Sequence, residues 1–160
     1  MKKISSFTVN HLNLLTGVYV SRKDYLQSDT LTTFDLRFTK PNDEPVMDTG
    51  AIHAIEHLGA TFLRNDEEWA SKIIYFGPMG CRTGFYLILS GDLESKQIID
   101  LLHRMIQFVI GYEGEIPGAS AKDCGNYIDM NLPMAKFYAK KYLNEVLLNI
   151  SEDRINYPVD

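Results

Sequence analysis

Cysteine and histidine are scarce in this chain, with two cysteines, Cys81 and Cys124, and four histidines among 160 residues. No Cys-x-x-Cys pair occurs, which excludes a zinc ribbon or a thioredoxin-type motif. In a secreted protein the two could form a disulfide. In a reducing compartment such residues are buried, metal-bound or catalytic. Basic charge is also in short supply: 16 Lys and Arg stand against 21 Asp and Glu, a formal net charge of −5. A nucleic-acid partner would call for a basic patch or stripe. The densest basic group, Lys136, Lys140 and Lys141, lies in a helical pattern and reads as a solvated face. Long apolar runs are missing, whereas a membrane span needs about 18 or more such residues. Two lysines open the chain, but no apolar stretch follows Met1-Lys2-Lys3-Ile4-Ser5-Ser6, so this is not a secretory signal. The expected location is the cytoplasm, with neither membrane nor nucleic acid as a partner.

Hydrophobic residues make up 45% and charged residues 23%, the balance of an ordinary globule. A chain of this length buries roughly 70% of its unfolded surface, so it needs no metal merely to fold, and a metal site would have to be explained by chemistry. One domain over residues 1–160 is expected. Val18-Tyr19-Val20 and the run Leu31 to Phe38 are rich in β-branched and aromatic residues and read as strands, as do Ile73–Phe76 and Phe85–Leu89 around the turn Gly77-Pro78-Met79-Gly80. Asp48-Thr49 would cap a helix from about Gly50 to Arg64. Asp92 would cap a second, with Ile98, Leu101, Leu102, Met105, Ile106 and Val109 as its buried stripe. A third starts near Pro133, with Met134, Phe137, Tyr138, Leu143, Val146 and Leu147 as its apolar face. The last ten residues read as frayed or peripheral. The resulting fold class is α+β: an antiparallel β-sheet packed with α-helices.

The strongest local signal is His53-Ala54-Ile55-Glu56-His57, inside the first expected helix. Residues four apart project from one helix face, so both imidazoles can reach one ion. Glu56 stands at the rim. Catalytic metal sites usually have three protein ligands and one open position. Candidates for the third ligand are Cys124, Cys81, His11, His103 and the carboxylates. His103 falls within the second helix and reads as structural or solvent-facing. Cys124 stands in the polar loop Ala121-Lys122-Asp123-Cys124-Gly125-Asn126, free to turn its sulfur toward an ion. Cys81 lies between Gly80 and Arg82, with Gly84 close by, where backbone can approach a ligand and a neighbouring cation favours the thiolate.

Longer blocks carry a family likeness. Ser6-Phe7 with His11, Phe34-Asp35-Leu36-Arg37-Phe38 before Pro41-Asn42, and His53-Ala54-Ile55-Glu56-His57-Leu58 come first. Gly77-Pro78-Met79-Gly80-Cys81-Arg82-Thr83-Gly84-Phe85-Tyr86-Leu87 and Asp123-Cys124-Gly125-Asn126-Tyr127 with Asp129-Met130-Asn131-Leu132 follow in order. Over roughly residues 4–150 the chain resembles the S-ribosylhomocysteine lyase (LuxS) family, the bacterial autoinducer-2 synthesis enzymes of quorum sensing. One departure is Tyr75-Phe76 ahead of Gly77-Pro78, where many members are shorter and more polar. The resemblance implies metal ligands at His53, His57 and Cys124, an acid/base thiol at Cys81 and an acid/base carboxylate at Glu56. It implies substrate contacts at Ser6, His11 and Arg37. It further implies one divalent ion per subunit, natively iron(II) and replaceable by zinc or cobalt, and a homodimer with its site at the subunit interface. The expected reaction converts S-ribosylhomocysteine to L-homocysteine and 4,5-dihydroxypentane-2,3-dione by carbonyl migration and β-elimination. A rival reading is a zinc metallopeptidase, since His-x-x-Glu-His is also a peptidase motif, but it explains neither Cys81 nor the glycines around it. A non-catalytic metal module would want a closed four-ligand site richer in cysteine.

Overall fold

The computed structural model describes residue 4 and residues 7–158. The strands are β1 (Gly17–Tyr25), β2 (Thr30–Arg37), β3 (Ile73–Pro78) and β4 (Gly84–Ser90). All neighbours pair antiparallel, in the order β1-β2-β4-β3. Three helices pack on the sheet: α1 (Thr49–Asn65), α2 (Ile99–Gly111) and α3 (Leu132–Tyr142). The α+β class expected from the sequence is the class observed.

Strand alternation sorts side chains onto two faces, and here the faces have different jobs. Val18, Phe34, Leu36, Phe76, Phe85, Leu87 and Leu89 point to the helices and join one hydrophobic core with Ile55, Leu58, Leu102, Met105, Val109 and Tyr142. The register sets Asp35 opposite both Tyr19 and Tyr86 on the other face. Arg37 and Thr33 share that face by alternation along β2. A bulge between Val20 and Arg22 interrupts β1, and Ser21 there lines a pocket with Asp35 and Arg37.

Helix α1 begins as expected: Asp48 Oδ1 accepts the Ala51 amide at 2.9 Å. Its core face is Ala51, Ile52, Ala54, Ile55, Leu58, Gly59 and Leu63, which turns the two histidines toward the rim. The start of α2 differs from expectation. Asp92 does not cap it but pairs with Lys23 at 2.6 Å. A short turn, Ser95–Ile98, precedes α2, and Glu94 and Gln97 form a reciprocal capping box at its head. Thr32 Oγ1 accepts the Leu93 amide at 3.1 Å. That bond fixes the chain beside the sheet and delays the helix.

The expected apolar face of α3 is also corrected. Phe137 is 55% exposed, while Ala135, Ala139, Tyr142, Val146 and Leu147 face the core. Ala135, Ala139 and Tyr142 turn inward where α3 lies against both α1 and α2, which leaves Phe137 on the outer face. A π-type turn over Leu143–Leu147 then shifts the helical phase, so a single stripe drawn through residues 134–147 cannot stay on one face. Tyr142 stacks on Phe38 at 4.0 Å and donates to the Gly17 carbonyl at 3.0 Å.

The end of the chain is a further correction: as far as it is described, it is neither frayed nor peripheral. Ile155 is buried. Arg154 donates to the carbonyl and hydroxyl of Thr16 at 2.8 and 2.6 Å. Tyr157 stacks on Tyr19 with ring centroids 4.8 Å apart. No helix among the described residues is long and apolar enough to cross a membrane.

Candidate active site

His53, His57 and Cys124 come together: one ligand atom from each can be chosen so that all three lie within 4.8 Å of one another. A tetrahedral ion held at about 2.3 Å by sulfur and about 2.0–2.1 Å by nitrogen spaces those two atoms about 3.6 Å apart. The Cys124 Sγ to His53 Nε2 distance is 3.4 Å, close to that spacing, so these three residues could hold a divalent ion. The imidazoles are oriented from behind. His53 Nδ1 bonds Asp129 Oδ1 at 2.7 Å, and His57 Nδ1 lies 2.8 Å from the Pro117 carbonyl. A carbonyl only accepts, so His57 Nδ1 donates to it, which leaves Nε2 as the ring nitrogen to meet a metal. A carboxylate or carbonyl behind a histidine is the usual support of a metal ligand. Gly118 explains how the loop comes so near: its φ is +74°, and a Cβ there would lie 3.2 Å from His57 Nδ1. Glu56, next to His57 on α1, is half-buried.

A second constellation lies on the sheet face away from the helices. Arg37, Asp35 and Tyr86 rise from β2 and β4. With Cys81, Gly80, Met79, Ser21, Tyr157, His11, Val9 and Phe7 they line a cavity of about 260 Å³. Cys81 sits in the tight turn between β3 and β4, where Arg82 adopts a left-handed backbone with φ of 60°. Non-glycine residues held this way cluster at functional sites. Cys81 Sγ is 3.1 Å from Thr83 Oγ1 and 3.8 Å from Arg37 Nη1. Burial of the thiol opposes its ionisation, but bonds from the Thr83 hydroxyl and backbone amide and the charge of Arg37 outweigh it. The thiol pKa is therefore drawn below its ordinary value. Arg37 in turn is held by Asp35, at 3.1 Å through Nε and 2.5 Å through Nη2.

The expected site residues thus fall into two groups within one chain. His53, His57, Cys124 and the neighbouring Glu56 form one. Cys81, Arg37 and His11 form the other, and the cavity that holds them contains none of the first group. Ser6 lies outside the described residues. A cavity of about 910 Å³ between α1 and α2 belongs to neither; His103 and Arg104 line it, and Arg104 is taken up by Asp66 and Asp100. Residue spacing did not reveal Asp129, Pro117, Thr83 or Tyr157. Asp35 could have been found, because Asp35 and Arg37 at alternate strand positions share a face.

The fold and these two groups define an α+β protein with three side chains that could hold a metal ion and a separate thiol whose pKa is drawn down. A profile of the S-ribosylhomocysteinase (LuxS) family matches residues 4–153. Three relatives named S-ribosylhomocysteine lyase are similar over 158 residues. That of Finegoldia magna is 65% identical, covering 99% of each chain. That of Clostridium beijerinckii is 63% identical, again over 99% of each. That of Borreliella burgdorferi is 54% identical over 99% of this chain and 100% of its own. The chain belongs to the S-ribosylhomocysteinase (LuxS) family.

Proposed function

We propose that this protein is a metal-dependent carbon–sulfur lyase that converts S-ribosylhomocysteine to L-homocysteine and 4,5-dihydroxypentane-2,3-dione. The observation that carries the reading is the Cys81 thiol, within reach of Thr83 and Arg37, which draw its pKa down, in a chain whose relatives are named S-ribosylhomocysteine lyase. The metallopeptidase alternative gives Cys81 and Arg37 no task and is not favoured.

The chemistry explains the need for such residues. A thiolate leaves poorly from an unactivated carbon. Once a ketone stands at C3 of the ribose chain, the C4 hydrogen becomes acidic and the sulfur at C5 can be expelled. The carbonyl must first migrate from C1 to C3. A divalent ion, iron(II) by family likeness with zinc or cobalt as substitutes, would be held by His53, His57 and Cys124 and would supply Lewis-acid polarisation of the substrate's oxygens. Cys81 Sγ, as thiolate, takes a carbon-bound proton and returns it to the adjacent carbon. Arg37 favours the thiolate form that must be present before each abstraction. The Glu56 carboxylate moves hydroxyl protons and finally takes the C4 proton; the C5–S bond then breaks and homocysteine departs as its thiolate. Ser6, His11 and Arg37 bind the polar ends of the substrate.

One chain presents the metal group and the thiol group on different faces, which supports a homodimer whose site spans the interface. The open sheet face carries apolar surface suited to such pairing: Tyr75 and Phe7 are 47% and 68% exposed. In this reading Cys81 of one subunit works beside the metal ligands of the other.

Homocysteine release from S-ribosylhomocysteine, followed with a thiol reagent on anaerobically iron- or cobalt-loaded protein, tests the assignment. No release from correctly metallated protein rejects it. Glu56→Gln keeps the shape but loses the base. Its metal content should match the wild type while product release falls about 10²–10⁴-fold, the usual worth of a positioned acid or base. Normal release from this variant would remove Glu56 from the mechanism.

A further inference from the structure

The geometry points to Tyr157 as a positioning residue for Cys81, one that acts through Asp35 to hold the Arg37 guanidinium against the thiol. The inference rests on Cys81 being the reacting thiol, and it gives the C-terminal segment a task in the site.

The linkage is continuous. The Tyr157 hydroxyl donates to Asp35 Oδ2 at 2.9 Å. The same oxygen accepts Arg37 Nη2, and Oδ1 accepts Arg37 Nε. The remaining arm of the guanidinium, Nη1, reaches Thr83 Oγ1 at 2.5 Å and Cys81 Sγ at 3.8 Å. Asp35 and Arg37 have side chains 2% and 4% exposed, so water cannot replace a missing partner. A buried carboxylate deprived of a donor draws harder on the donors that remain. Loss of the tyrosine hydroxyl would pull the guanidinium toward Asp35 and away from the sulfur.

Tyr157 is held for this role. Its ring lies on Tyr19, Arg154 ties the segment to Thr16, and Ile155 is buried. Burial first, and then the charge of Asp35, raise the Tyr157 pKa. The hydroxyl therefore stays protonated and remains a donor. The charged and titratable groups around Cys81 are Arg37 with Asp35 behind it, Arg82 beside it in the turn, Tyr86 from β4, His11 from the N-terminal segment and Tyr157 itself. Of these, only Arg37 both carries a positive charge and hydrogen-bonds the sulfur.

Tyr157→Phe keeps the stacked ring and removes only the donor. The test measures the rate of Cys81 alkylation by iodoacetamide against pH on the metal-loaded full chain, with Cys81→Ala giving the background from Cys124. Only the thiolate reacts. The midpoint should move to higher pH in Tyr157→Phe. Homocysteine release should fall about three- to tenfold on the acid side of its profile and recover toward alkaline pH as the thiolate returns. Metal content should not change. An unshifted alkylation midpoint overturns the proposal, including the case where the variant only melts earlier, which would mark the tail as structural. Wild-type protein that alkylates normally but releases no homocysteine would instead reject the lyase reading, and the alkylation comparison would still decide the role of Tyr157.

Discussion

Cys81→Ala is expected to retain a full complement of metal and to lose homocysteine release by at least about a hundredfold, the lower end of what one positioned acid or base contributes. The expectation follows from where the sulfur sits. Cys81 belongs to the β3–β4 turn and the pocket over β2 and β4, apart from the histidines and Cys124 that would hold the ion. Removing it would delete the proposed proton carrier without touching the proposed ligands. The turn should survive, because its bonds are backbone bonds: Met79 N to Gly84 O at 2.9 Å and Arg82 N to Met79 O at 3.0 Å. Elemental analysis and the thiol assay on one preparation check both halves of the statement. Turnover near the wild-type rate would take Cys81 out of the mechanism. The sign of the pH dependence follows as well. The thiol pKa is lowered, so the thiolate is present above that depressed value and activity is lost as pH falls through it. In Arg37→Ala the acid limb should shift toward higher pH.

His57→Ala should do the reverse: lose the ion first, and activity as a consequence. Two ligands, His53 and Cys124, would remain where a catalytic site normally supplies three, and the Pro117 carbonyl would lose its donor. Metal-to-protein ratio after dialysis is the direct measurement. Full metal retention would show that the ligand set is drawn wrongly. Asp129→Asn offers a graded comparison, since loss of a partner behind a metal-binding histidine typically weakens metal affinity by about 10–100-fold.

The two variants together test the shared interface. If Cys81 of one subunit serves the metal of the other, mixing Cys81→Ala with His57→Ala chains creates dimers with one intact site, and activity should reappear on exchange. If each chain carried a complete site of its own, mixing would restore nothing.

The helix that carries the histidines was legible because its signals are local. An aspartate stands where a cap is needed, apolar residues recur at helical spacing, and two imidazoles sit four residues apart on one rim. The strands were legible for the same kind of reason, in their alternation and their bounding turns. The misplacements share a different origin. Asp92 was a sound cap by residue type, but Lys23 competes for it from β1, and the Thr32 hydroxyl holds the chain extended past it. Phe137 was a sound core residue by hydrophobicity, but Ala135, Ala139 and Tyr142 take the core face of α3 and leave Phe137 exposed. The tail looked expendable because its partners, Thr16, Tyr19 and Asp35, lie more than a hundred residues away.

By itself, then, the sequence determined the element types, the α+β class and the placing of two histidines on one helix face, all of which depend on neighbours within a few residues. Only the tertiary structure decided that Cys124 reaches His53, that Asp129 and Pro117 orient the imidazoles, that Asp35 and Tyr157 stand behind Arg37, and that the thiol and the metal group occupy different faces of one chain. Those facts depend on which distant segments are packed together. Packing is fixed by the shape and burial of the whole core, which no local window of residues contains.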